Sequence, residues 1–245
     1  MRWWRRFAGP GETDQVINST SASSFAPAGY RFPREVIAVA VRWYLRYGLS
    51  YRDVEELLAE RGIVVDHVTV YRWVQTFTSV FIDVARPSRH AVGDRWFVDE
   101  TYVKVGSRWT YLYRAVDQRG QVIDVSVSTR RNADAARLFF ARAMTYGLAP
   151  VEVTTDRAAV YPRVIDKLLP GARHVVDRYA NNVVEANHGR LKDRLRPMCG
   201  LKQIRSARTI AAGHAFVQNL RRGHGRSGTA RRRRCLRRRR ARPPG

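Results

Sequence analysis

The sequence predicts an α/β fold: an N-terminal helix-turn-helix, then a mixed sheet flanked by helices. Three observations carry this. Residues 33–85 hold three helical segments within about 55 residues, the plan of a helix-turn-helix. From residue 95 the apolar spacing changes to a period of two and gives three strands in succession. Beyond residue 130 helices and strands alternate, as in a mixed sheet covered by helices.

Residues 1–30 mix Gly, Ser, Thr and Pro, the composition of a flexible lead-in. PREVIAVAVRWYLRYG (33–48) reads as a helix with Pro33 near its first turn and Gly48 as its stop. SYRDVEELLAERG (50–62) opens with Ser50 and Asp53 at the spacing of a capping box and ends at Gly62. Asp66 can cap HVTVYRWVQTFTSVFIDVA, in which Val70, Trp73, Val74, Phe77 and Phe81 recur on one face. A plain helical bundle shows the same periodicity. If residues 31–86 form a DNA-binding helix-turn-helix, then His67, Thr69 and Arg72 are its candidate DNA contacts, because they lie early on the third helix and off its apolar stripe.

RWFVDETYVKV (95–105), RWTYLYRAVD (108–117) and VIDVSVSTR (122–130) are expected strands, with VDQRGQV turning between the last two. NADAARLFFARAMTYG (132–147) is a helix capped by Asn132 and stopped by Gly147. PVEVTTD (150–156) is a strand, AVYPRVIDKLL (159–169) a helix interrupted early by Pro162, RHVVD (173–177) a strand and NNVVEANHGRLKDRLR (181–196) a helix.

The 245 residues are 44% hydrophobic, enough for a real core, and carry a formal net charge of +24. Such a field favours a polyanion, with nucleic acid the first candidate and an anionic membrane surface the second. No apolar run of about 18 residues and no signal-peptide core is present, so no membrane span is expected. Cys199 and Cys235 lack the paired spacing of a zinc site, and a reducing cytoplasm suits them. Residues 221–245 carry twelve arginines and no acid, half of the net charge. The run RRRRCLRRRR cannot enter a core, and residues 225–245 read as an arginine-rich interaction tail.

The strand at 95–105 poses a chemical problem, because Asp99 and Glu100 sit at its centre. Neighbouring strand residues face opposite ways, so one acid points to each side of the sheet. A buried carboxylate costs several kcal/mol unless something neutralises it. Asp156 stands at the end of the fourth strand, and Glu185 lies one turn into the helix at 181. If the first and fourth strands are neighbours, two acids approach each other. Like charges that close need a cation between them. Hard divalent ions prefer carboxylate oxygens, and two ions about 4 Å apart can clamp a phosphodiester displacement. Spacing alone leaves open whether Asp99 or Glu100 is the ligand.

FPREVIAVAVRWYLRYGLSYRDVEELLAERGI, VDETYVKV, YLYRAVD, TTDRAAVYPRVI, NNVVEANHGRLK and GLKQIRSARTIAAGHAF, in that order over roughly residues 31–224, resemble the transposases of the insertion-sequence-six family. The resemblance implies a ribonuclease-H-like DDE catalytic core over residues 92–224, with the triad on Asp99, Asp156 and Glu185 as both catalytic and metal residues. It implies Mg²⁺ (or Mn²⁺), with two ions, and DNA as partner, both terminal inverted repeats and target. It further implies a homo-oligomer on DNA, no membrane association and a place in a bacterial or archaeal cytoplasm, at the nucleoid. Metal-activated water and then a freed 3′-hydroxyl would attack a phosphodiester. Glu100 becomes the neighbour, able to pair with an arginine. His188, Lys192 and Arg196 follow Glu185 on one side of its helix and are further DNA-binding candidates.

The chain departs from the family pattern in a shorter Asp156-to-Glu185 interval, in Asn187 where an acid is common, and in the tail. The outward helix and the returning strand of that interval nearly cancel in length. The three carboxylates are therefore expected on the order of 4–8 Å apart. Two other readings share parts of the pattern. A helix-turn-helix regulator, or a transposase remnant without catalysis, accounts for residues 33–85 and the charge. A ribonuclease-H-like nuclease accounts for the acids.

Overall fold

Ser50 closes a capping box at the start of the second helix. Its Oγ accepts from the Asp53 amide at 3.1 Å and its own amide donates to Asp53 Oδ2 at 2.8 Å. The computed structural model describes residues 31–176, 182–198 and 200–224. The expected lead-in, the arginine tail, Cys199 and Cys235 lie outside the described residues.

α1 (Arg34–Arg46) buries Ile37, Ala40, Val41, Tyr44 and Leu45, a helical stripe. It ends at Tyr47, before Gly48, because Tyr47 is already extended. α2 (Tyr51–Ala59) buries Val54 and Leu58. α3 (His67–Ala85) starts where Asp66 Oδ1 accepts from the Val68 amide at 3.1 Å. Its buried stripe is Val70, Trp73, Val74, Phe77 and Thr78, with Phe81 only partly covered.

Five strands follow: β1 (Arg95–Val105), β2 (Arg108–Asp117), β3 (Val122–Ser128), β4 (Glu152–Thr155) and β5 (Arg173–Val176). They lie in the order β3-β2-β1-β4-β5. β2 is antiparallel to both β1 and β3, whereas β4 is parallel to β1 and to β5, so β2 alone runs against the rest. The result is a five-stranded mixed sheet. α4 (Ala133–Met144) and α5 (Tyr161–Leu168) cover one face, packing Phe139, Phe140, Tyr161 and Ile165 against Trp96, Val98 and Ala115. α6 (Asn182–Leu195) and α7 (Ile204–Arg221) lie on the other face. There Val103, Val105, Leu112 and Val127 share one core with α1–α3, Leu191 and α7, and α1 and α3 pack against α7, which itself lies on β3.

Two elements differ from expectation. Pro162 does not interrupt α5: the helix begins at Tyr161, and the proline sits in its first turn, where a missing amide costs nothing. α7 was not expected at all. Its buried face includes Ala207, Ala211, Gly213 and Ala215, and it packs there by close approach: a Cβ at Gly213 would stand 2.6 Å from Leu45 Cδ2 and 2.8 Å from Thr78 Cγ2. The outer edge of β3 is capped by side chains. Arg89 donates to the Val122 and Ile123 carbonyls, and Asn219 pairs with both the amide and the carbonyl of Val122. No described helix is long and apolar enough to cross a membrane.

Candidate active site

β4 pairs with β1 only from Arg95 to Phe97 and ends at Thr155, with Asp156 next in the chain. Beyond Phe97 that edge of β1 has no strand beside it in this pairing. Asp99 and Glu100 project to opposite faces, yet both reach around the open edge toward Asp156. One carboxylate oxygen from each of Asp99, Glu100 and Asp156 lies within 4.8 Å of the others. Asp156 is steadied by its own turn, since its Oδ1 accepts from the Ala158 amide at 3.1 Å.

The two acids of β1 are neutralised differently. The Glu100 side chain is 2% exposed and accepts from Arg131, with Nε at 2.5 Å, and from the Tyr161 hydroxyl. An arginine is thus its partner. The same guanidinium comes within 3.7 Å of Asp156 Oδ2. Asp99 has mainly acids around it. Burial, then the charges of Glu100 and Asp156, and lastly Glu185, raise its carboxyl to about 7. Glu185, exposed in the first turn of α6, is outside the group of oxygens within 4.8 Å but near enough for its charge to act on Asp99. An all-oxygen donor set with surplus negative charge fits a hard divalent cation.

α6 is fixed from two sides. Arg114, fully buried, donates through Nη1 to the Asn187 carbonyl at 3.0 Å. Burial, then Arg222 and Arg190, lower its pKa to about 9, so it remains charged at neutral pH. Arg194 donates through Nε to the Tyr44 carbonyl at 2.9 Å, with its guanidinium 4.4 Å from the centre of the Tyr44 ring. One arginine ties α6 to the sheet and the other ties it to α1.

His188 departs from its expected place at the DNA. It is 4% exposed, with Nε2 3.7 Å from Asp99 Oδ2, because α6 turns that side onto β1. Burial, with Arg114 and Lys192 nearby, lowers its pKa to about 3, so the ring is neutral. His67 is engaged inside the protein too. Its Nδ1 lies 3.1 Å from Glu55 Oε2 and 3.1 Å from Asp66 Oδ1, and its amide donates to Glu55 Oε2, which joins α2 to α3. Thr69 is partly buried, while Arg72, Lys192 and Arg196 are exposed. Arg196 stands 3.7 Å from Asp193.

Arg114 escaped the sequence reading although a signal existed. Counting back from the two-residue turn at Gly106 and Ser107 pairs Asp99 with Arg114 across the hairpin. Arg131 and Tyr161 had no such signal, because they reach Glu100 from separate loops and helices.

A family model described as a DDE domain matches residues 93–224. The transposase for the insertion-sequence-like element IS431mec of Staphylococcus aureus is 37% identical over 169 residues, 67% of this chain and 75% of that protein. The transposase of IS257 in transposon Tn4003, from the same species, is 36% identical over the same shares. Among solved structures, the magnesium-bound catalytic core of HTLV-2 integrase in its dimeric form is 20% identical with a TM-score of 0.38, covering 43% of this chain and 72% of that one. The catalytic core of BIV integrase is 20% identical with a TM-score of 0.39, covering 49% and 81%.

Proposed function

The chain belongs to the DDE transposases of the insertion-sequence-six family, and from that premise we propose that Asp99, Asp156 and Glu185 are its catalytic triad, holding two Mg²⁺ or Mn²⁺ ions. The observation that carries this is the meeting of Asp99 and Asp156 at the open edge of β1, with Glu185 adding its charge. Bound there, the ions would activate a water or 3′-hydroxyl and stabilise charge on the attacked phosphate. Asp99 and Asp156 hold their oxygens together, and Glu185 completes the donor set from α6. Glu100 is not a ligand in this reading. It locks Arg131 beside Asp156 and so positions that carboxylate. Neutral His188 packs on Asp99 and limits its rotation. Lys192 and Arg196, exposed on and just after α6, face the DNA backbone. α2 and α3 form the helix-turn-helix that recognises the terminal inverted repeats, with Arg72 as its exposed contact, and His67 holds the two helices in register. The protein works as a homo-oligomer on DNA, at the bacterial nucleoid.

The test is incubation of the purified protein with its element's end and a plasmid target. Joined products are expected only with Mg²⁺ or Mn²⁺. Nicked DNA without joining would instead favour a nuclease, and end binding without any reaction a regulator.

A second expected result follows from Asp99. A carboxyl raised to about 7 holds its proton at pH 6 and has lost it at pH 8.5. Metal binding should therefore release about one proton at pH 6 and almost none at pH 8.5. Calorimetry in two buffers of different ionisation enthalpy measures this, and apparent affinity should rise with pH until Asp99 is ionised. Equal release at both pH values would remove Asp99 from the metal site.

A further inference from the structure

We propose that the exposed face of the β1–β2 hairpin is a stacking platform for unpaired nucleotides of the DNA strand that enters the active site. The alternation of β1 places Glu100, Tyr102 and Lys104 on one face, and the register of β2 sets Tyr113, Tyr111 and Trp109 directly opposite them. At the inner end α4 covers this face, with Tyr113 5.7 Å from Phe139. Farther along the cover stops, and Tyr102 is 49% exposed and Trp109 63% exposed. The Tyr102 ring lies 6.4 Å from Trp109 and 5.4 Å from Tyr111. Three touching rings thus lead from the hairpin tip toward Glu100 and the acid cluster.

The charges beside the rings match a nucleic-acid strand. Lys104 pairs across from Trp109, and Lys104, Arg108 and Arg130 are exposed. Arg131 is near enough to Tyr102 for the two to interact electrostatically. Glu100, the acid of this face, is already neutralised by Arg131. Rings for bases and cations for phosphates together suit a single strand, because paired bases in a duplex hide the surfaces that rings stack on. The platform is also rigid. The hairpin turns through Gly106 (φ 53°) and Ser107 (φ 65°), and the Gly106 amide donates to the Leu201 carbonyl at 2.7 Å. Two strand residues span about 7 Å, so a base on Tyr102 sits roughly one nucleotide from the acids.

The inference rests on the reading that those acids act on DNA, but its test does not require chemistry. Two labelled duplexes are compared by fluorescence anisotropy without metal, one blunt and one ending in several unpaired nucleotides. The protein should prefer the tailed duplex. Tyr102→Ala and Trp109→Ala should each weaken tailed binding roughly tenfold while blunt binding stays within about twofold. Trp109→Phe should restore most of the loss, and Asp156→Asn should keep the preference even if it abolishes strand transfer. Unchanged tailed binding in the alanine variants would overturn the proposal, as would equal loss on both duplexes. So would an alanine variant whose oligomeric state changes without DNA, which would make this face a protein interface.

Discussion

Asp156→Asn is expected to abolish strand transfer while leaving binding to the element's end nearly intact. Asparagine keeps the size of the side chain and can still accept from the Ala158 amide, so the turn after β4 should survive. What goes is one negative charge from the acid cluster, leaving Arg131 beside a neutral side chain. Loss of a residue that merely supports a metal ligand costs about 10–100-fold, so loss of a ligand should exceed about a hundredfold. In the proposed reading end binding rests on α2 and α3, elements distinct from β4, and should change little. The substitution has a second readout. Asp156 is one of the charges that raise the Asp99 carboxyl, so removing it should lower the pH at which proton release on metal binding fades. Mg²⁺-dependent joining at an undiminished rate would strike Asp156 from the triad.

The local parts of this architecture were legible because local chemistry fixes them. Ser50 and Asp53 specify a capping box within four residues, and Asp66 and Asn132 cap their helices as their positions imply. The two-residue period of 95–128 specifies three strands, and short connections make them antiparallel neighbours. The site was legible only in part. That Asp99 and Asp156 meet depends on β4 lying beside β1, a long-range pairing that no window of sequence contains. That pairing also ends early, which brings Glu100 round to the same edge as Asp99 even though strand alternation separates them. The sense of α6 is a similar case. Periodicity places His188 one turn beyond Glu185, but the contact with β1 decides that His188 is buried while Glu185 is exposed. α7 is hard to read because its buried face mixes alanines and Gly213 with His214, Gln218 and Asn219, which blurs the apolar stripe.

Removing residues 225–245 should sharply weaken binding to DNA of arbitrary sequence and flatten its salt dependence. Ten arginines and no acid follow His224, so the net charge falls from +24 to +14. Each neutralised phosphate contributes about −0.9 to the slope of log affinity against log salt. If only half of those arginines meet phosphates, the slope should flatten by about 4 to 5, with a loss on the order of a hundredfold or more at low salt. Stability should not follow affinity. The last described contacts are made by His224 itself, whose amide donates to the Asn219 carbonyl at 2.9 Å and whose carbonyl accepts from the His90 amide at 3.2 Å. A cut after this residue keeps both. The truncated protein should therefore melt within a degree or two of the full chain and keep its preference for the element's end, which the proposed function assigns to α3. Salt titrations of both proteins on random and end-containing duplexes, with melting curves alongside, separate the outcomes. An unchanged slope would mean that the tail does not touch DNA, and a large drop in melting temperature would mean that it supports the fold.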